Sequence, residues 1–181
     1  SAGIYARNFK ITANNCLISN AGQYSLVISG GGEYNFTHCT FANYFGQSQR
    51  KTPAFFMSNF YEALPDVVQV REIKNTRFTN CIFYGSNENE LDLDLNTQLT
   101  NDYKFENCLI KRKDALNDIN FTESVLNGNP QFVKVSELDF HLGKNSAAKD
   151  KGKATSLFND LDNYPRDAKP DLGAYEFVET P

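Results

Sequence analysis

The chain has 181 residues, enough for one domain with a real core, and 40% of them are hydrophobic. A net charge of −4 with both signs interspersed gives no basic face for nucleic acid, and no apolar stretch approaches the ~20 residues of a membrane-spanning helix. Tryptophan is absent, Phe (15) and Tyr (9) carry the aromatic load, and Asn occurs 21 times. Asn disfavours helix interiors and suits turns, because its side chain bonds nearby backbone and tolerates left-handed geometry. The composition therefore predicts short strands joined by tight turns.

Taken in chain order, the strand signals fall into pairs. Gly3-Ile4-Tyr5-Ala6 precedes Asn15-Cys16-Leu17-Ile18, and Leu26-Val27-Ile28-Ser29 precedes His38-Cys39-Thr40-Phe41; the offset is 12 residues from Ile4 to Cys16 and from Val27 to Cys39. Ala54-Phe55-Phe56-Met57 precedes Asn80-Cys81-Ile82-Phe83, and Leu91-Asp92-Leu93-Asp94-Leu95 precedes Asn107-Cys108-Leu109-Ile110. Here the offsets are longer, 25 residues from Phe56 to Cys81 and 15 from Leu93 to Cys108. Two equal offsets and two longer ones describe an internal repeat with loop insertions. After Cys108 the pattern loosens, and from Leu126 it changes altogether.

One such unit cannot bury its apolar face alone, whereas stacked units share a continuous core. The expected fold is all-β: a single-stranded, right-handed parallel β-helix over residues 1–125, with a last coil and C-terminal cap over 126–181. The Asn before each Cys is expected to form a ladder bonding the backbone of the neighbouring coil, with His38 taking that structural place in the second. The cysteines, spaced 23, 42 and 27 residues apart, are expected to stack as free buried thiols, since side chains in register run parallel rather than converge. The register of the outer strands stays open: the Cys offset aligns Ile4 with Val27, but the apolar pattern matches Ile4 as well to Leu26 or Ile28. An insertion in the third coil, about Asn59 to Glu72, leaves the scaffold and is a natural place for function. Within it, Val67-Val68-Gln69-Val70-Arg71 reads as an extra strand.

The C-terminal third carries Asn129-Pro130-Gln131-Phe132, Asp139-Phe140-His141-Leu142, Ser146-Ala147-Ala148-Lys149-Asp150-Lys151-Gly152, Pro165-Arg166 and Asp171-Leu172-Gly173-Ala174-Tyr175-Glu176. This series resembles the ending of bacterial right-handed β-helix proteins of the pectate-lyase-like superfamily. The resemblance implies a bacterial secreted, periplasmic or cell-surface protein associated with polysaccharide, and it says little about activity. The tail is expected to cover the open end of the coil stack and keep the chain monomeric, with Asp171 and Arg166 paired across it, Gly173 in a tight turn and His141 at the surface. Because Gly3-Ile4-Tyr5-Ala6 starts in mid-coil with no capping helix before it, further upstream coils are expected.

The sharpest local signal for chemistry is Glu88 to Leu95. Alternation puts Leu91, Leu93 and Leu95 on the core face and Glu90, Asp92 and Asp94 together on the outer face, ~7 Å apart. Three carboxylates so placed suit a calcium ion, although solvated acids on an exposed strand are common. Pectate-lyase-like enzymes use outward acidic residues to bridge an acidic sugar through calcium, so the resemblance favours the same reading. Elimination would need a base, for which Arg71 and Lys74 stand one coil earlier; hydrolysis would need two carboxylates, for which Asp92 and Asp94 are the candidates. Phe60, Tyr61, Tyr84 and Tyr5 are candidate platforms for stacking a glycan. Lys111-Arg112-Lys113 reads as a solvated turn. Three function classes follow: a polysaccharide lyase or glycosidase, a non-catalytic glycan-binding module, and a structural or adhesive rod. Convergence of Arg71 with Asp92 and Asp94 would mark the first, a row of exposed aromatics the second, and a smooth surface the third.

Overall fold

The computed structural model describes residues 1–47, 49–114 and 119–179. Apart from a 3-10 turn at Val135–Glu137, the regular structure among the described residues is all β. The chain winds so that strands of successive turns pair in parallel, forming three ranks. The first rank uses the opening halves of β1 (Ala2–Asn14) and β3 (Tyr24–Thr37), then β5 (Phe55–Ser58) and β10 (Leu91–Asp94). The second uses the closing halves of β1 and β3, then β8 (Ile73–Thr79), β11 (Asn101–Glu106) and β13 (Phe121–Thr122). The third is a separate five-stranded parallel sheet of β2 (Leu17–Ser19), β4 (Thr40–Asn43), β9 (Ile82–Gly85), β12 (Leu109–Ile110) and β14 (Val125–Leu126). The insertion forms an antiparallel hairpin, β6 (Phe60–Leu64) with β7 (Val67–Val70), so the extra strand read from the sequence is present.

The register settles which residues face inward. Ile4 pairs with Leu26, Leu26 with Phe55, and Phe55 with Leu91. The alignment of Ile4 with Val27 is thus wrong by one residue. The cause is an extra residue at Gly30-Gly31-Gly32, where Arg7 still pairs with Ser29 but Phe9 pairs with Gly32. All three glycines have positive φ, and a Cβ on Gly31 would lie 2.5 Å from the Glu72 carbonyl oxygen, so the corner accepts no side chain.

Inside, like stacks on like. Phe36, Phe78, Phe105 and Phe121 form a column with ring centroids 5.4, 4.7 and 4.7 Å apart and nearly parallel planes, and Phe41 stacks on Phe83 at 5.1 Å. The four cysteines are free; Cys39, Cys81 and Cys108 are buried and Cys16 half-buried. The Cys81 thiol donates to the Phe36 carbonyl at 3.4 Å and the Cys108 thiol to that of Phe78 at 3.4 Å, tying each winding to the one before.

At the corner preceding the third rank, Asn15, His38, Asn80, Asn107 and Glu123 all take left-handed φ of 49–55°. The fifth position shows a winding that the cysteine pattern hides: Glu123-Ser124 replaces Asn-Cys, and Ser124 Oγ accepts from the Cys108 N–H at 3.2 Å. The corner asparagines do not form the expected ladder between windings. They hold the C-terminal segment: Asn107 Nδ2 donates to the Lys151 carbonyl (3.0 Å), Asn15 Nδ2 to that of Asn159 (2.8 Å), and Asn80 exchanges two hydrogen bonds with the backbone of Lys153. His38 does stand in the structural place expected of it, fully buried, with Nε2 2.8 Å from Asn80 Nδ2. Burial, then the nearby Arg166 charge, pulls its pKa down to about 3, so the ring is neutral.

The C-terminal segment therefore runs along a flank of the stack, from the fourth winding to the first, rather than across an open end. Its hairpin, β15 (Phe132–Lys134) with β16 (Asp139–Leu142), sets Phe132 against Tyr44 and Tyr84. Leu142, Ala148 and Leu172 bury Ile82 and Leu109, the outward side chains of the third rank. That sheet is covered on both faces, as parallel sheets usually are. Arg166 pairs with the Glu176 carboxylate and not, as expected, with that of Asp171, which accepts instead from the N–H groups of Asp150 and Phe177. Gly173 does occupy a tight turn, with φ of 87°.

Candidate functional site

The outward face of the first rank is built by register alone. Tyr5 pairs with Val27, Val27 with Phe56, and Phe56 with Asp92, so these four residues lie in one outward line along the stack at ~4.8 Å per winding. Tyr24, paired with Ala2, leans into the line with its ring 6.0 Å from that of Phe56. Together Tyr5, Tyr24, Phe56, Gln23 and Ser29 border a shallow depression of about 400 Å³ over Val27. Tyr5 is 56% exposed, while Val27 beneath the rings is 4% exposed.

Arg7 extends this ledge. Its guanidinium lies 4.4 Å from the Tyr61 ring centroid, and its Nη2 donates to the Tyr5 hydroxyl at 2.9 Å. That hydrogen bond holds the Tyr5 hydroxyl below its usual pKa, while burial, and then the charge of Asp92, raise that of Tyr24. Tyr61 reaches Arg7 because Gly30 leaves room; a Cβ there would lie 2.5 Å from the Tyr61 ring. The hairpin thus brings one predicted aromatic to the face. Phe60 is half-buried on β6 opposite Val70, and Tyr84 lies half-buried on the far flank, beneath Phe132 and 5.0 Å from Lys111 Nζ. Tyr84 is therefore part of the packing under the C-terminal segment.

The charged candidates do not assemble. Arg71 and Lys74 border a cleft with Asn8, Gly32 and Leu99, and Lys74 pairs with Glu72 at 3.1 Å. Asp92 borders a different cleft, with Lys51, Ser86, Asn89 and Arg112, and Asp94 is exposed on β10. Glu90 corrects the expected acidic face. Its side chain is fully buried, and it precedes the first residue of β10 instead of alternating within it. There it receives a two-pronged ion pair from Arg50, together with the N–H groups of Ala54 and Asn87 at 2.7 Å each. Its oxygens are committed inward, leaving Asp92 and Asp94 as the exposed acids of that strand. Among the described residues no three His, Cys, Asp or Glu side chains converge as a metal would require.

Sequence reasoning missed Tyr24 and Phe56. With the register left open, the offset to Cys81 does not place Phe56 on either face; the alternation with buried Phe55 and Met57 does. Tyr24 opens β3, immediately after a turn. Neither the models of known protein families nor the curated proteins searched include a match to this chain.

Proposed function

We propose that this chain is a stretch of right-handed parallel β-helix of the pectate-lyase-like class, from a bacterial secreted or surface protein, and that it binds polysaccharide without catalysing its cleavage. The parallel windings support the fold reading, and strand crossovers of this kind are right-handed in ~98% of cases. The observation that carries the function is the line of Tyr5, Tyr24 and Phe56 on one outward face. Sugar rings offer C–H faces that pack on aromatic rings, while their hydroxyls need polar neighbours, here Gln23, Ser29 and Arg7. A line running along the stack suits an extended polymer better than a compact ligand.

The enzyme reading is weaker on its own terms. A base and a charge-neutralising group must reach the same bond, and Arg71 and Lys74 border one cleft while Asp92 borders another. Calcium bridging at Asp92 and Asp94 lacks the third acid that Glu90 was expected to supply.

Calorimetry with a panel of neutral and acidic oligosaccharides, each with calcium and with chelator, tests the proposal. The native chain is expected to bind at least one member with calcium and with chelator and to leave it uncleaved, and Phe56→Ala is expected to weaken that binding about tenfold, the loss of ~1.4 kcal/mol of stacking. Absence of binding across the panel, or affinity in Phe56→Ala and Tyr24→Ala equal to that of the native chain, overturns it. Binding abolished by chelator and by Asp92→Asn returns the calcium-dependent reading to the front.

A further inference from the structure

Far from the glycan face, the C-terminal segment holds a charged cluster with a different logic. His141 on β16 has Asp139 Oδ1 2.6 Å from Nδ1 and Asp162 Oδ2 2.7 Å from Nε2, and its ring centroid is 4.1 Å from that of Tyr175. An ionised carboxylate only accepts hydrogen bonds, and a neutral imidazole has one N–H and one bare nitrogen. Two carboxylate contacts this short therefore belong to the doubly protonated ring. Asp139 is on the same strand, and its Oδ1 also accepts the His141 N–H at 3.0 Å. Asp162 is 21 residues further on, in the turn at 160–164. One ring thus ties a strand to a remote turn.

We propose that Asp139, His141 and Asp162 form a protonation-operated latch, closed while the imidazole carries both protons and opened on its Asp162 side when the Nε2 proton leaves to water. The neutral ring keeps its Nδ1–H on Asp139, whose oxygen is already fixed by the strand. Nε2 then turns a lone pair toward the Asp162 carboxylate, and the contact becomes repulsive. No covalent bond other than Nε2–H changes, and the turn that Asp162 belongs to loosens. The latch lies on the border of a cavity of about 490 Å³ with walls from Val133, Leu142, Tyr164 and Phe177, so its state sets how firmly the turn closes over that space.

The charges around the ring are these. The turn contributes Asp160, which accepts from the N–H groups of Asp162 and Tyr164, and the tail contributes Tyr175 and Glu176, the latter paired with Arg166. Lys144, paired with Glu179, completes the border. Burial disfavours the charged ring, but its hydrogen bonds to Asp162 and Asp139 and their charges outweigh it, so His141 titrates above its ordinary 6.5. The sign follows: the latch contributes fully below 6.5 and is lost as pH rises through the raised native value.

Proton NMR of the imidazole signals tests this directly, because the chain has two histidines and His38 stays neutral throughout the range. One signal is expected to titrate, with a midpoint above 6.5 that falls in Asp162→Asn and in Asp139→Asn. Over the same interval the amides of Asp162 and Tyr164 are expected to lose exchange protection, after correction for base-catalysed exchange. A midpoint at or below 6.5, a midpoint unmoved by Asp162→Asn, or protection that stays flat across the titration overturns the latch.

Discussion

At the scale of single residues, burial decides roles that composition leaves open. Glu90 reads as a surface acid and is instead the anion of a fully buried pair with Arg50, whose side chains are 0% and 1% exposed. Such a pair resists loss of one partner far more than loss of both, because a stranded charge has no water to return to. Arg50→Met is expected to destabilise the chain by ~3–5 kcal/mol in urea unfolding, and Arg50→Met with Glu90→Leu to recover much of that. Two of the thiols are held protonated. The hydrogen bond with the Cys39 thiol, then burial, holds the Cys16 thiol well above its usual pKa, and burial does so for Cys81. An aromatic disulfide reagent is therefore expected to label the folded chain slowly, Cys16 first, and all four cysteines promptly in denaturant. Fast labelling of Cys81 in the folded chain would contradict its place in the core.

At the scale of elements, the windings were legible where one motif repeats and obscure where physics permits substitution. Asn-Cys marks three corners, and His38-Cys39 a fourth, because Asn tolerates left-handed φ and Cys is a small hydrophobe. Glu123-Ser124 satisfies the same corner with different residues, so the fifth winding left no trace in the pattern. The register stayed open because of Gly30-Gly31-Gly32, where one extra residue makes the cysteine offset differ by one from the pairing of the strand before it. An open register leaves Phe56, and with it much of the candidate face, unassigned. The C-terminal segment was recognisable as a unit but not its path, because nothing local says that Asn15, Asn80 and Asn107 would bond it rather than the backbone of the neighbouring winding. Its attachment depends on Gly173, where a Cβ would lie 2.5 Å from Thr40 Oγ1 and 2.7 Å from Ile82 Cδ1, at φ of 87°. Gly173→Ala is expected to cost ~1–3 kcal/mol and to raise exchange along the flank more than in the second rank.

At the scale of the whole molecule, two cores sit back to back on the third rank: the interior with its Phe column, and the layer of Leu142, Ala148 and Leu172 over Ile82 and Leu109. The first holds the windings together, and the second anchors the tail away from the aromatic face. This division leaves the first rank uncovered along Tyr5, Tyr24 and Phe56, the face on which the proposed polysaccharide would lie parallel to the stack. The most direct measurement is amide chemical-shift mapping of the chain titrated with an oligosaccharide that binds it. The account predicts a line of perturbed residues at Tyr5, Tyr24, Val27 and Phe56, with the flank undisturbed. Perturbations gathered instead around Arg71 and Lys74, or around the cavity beside His141, would contradict it.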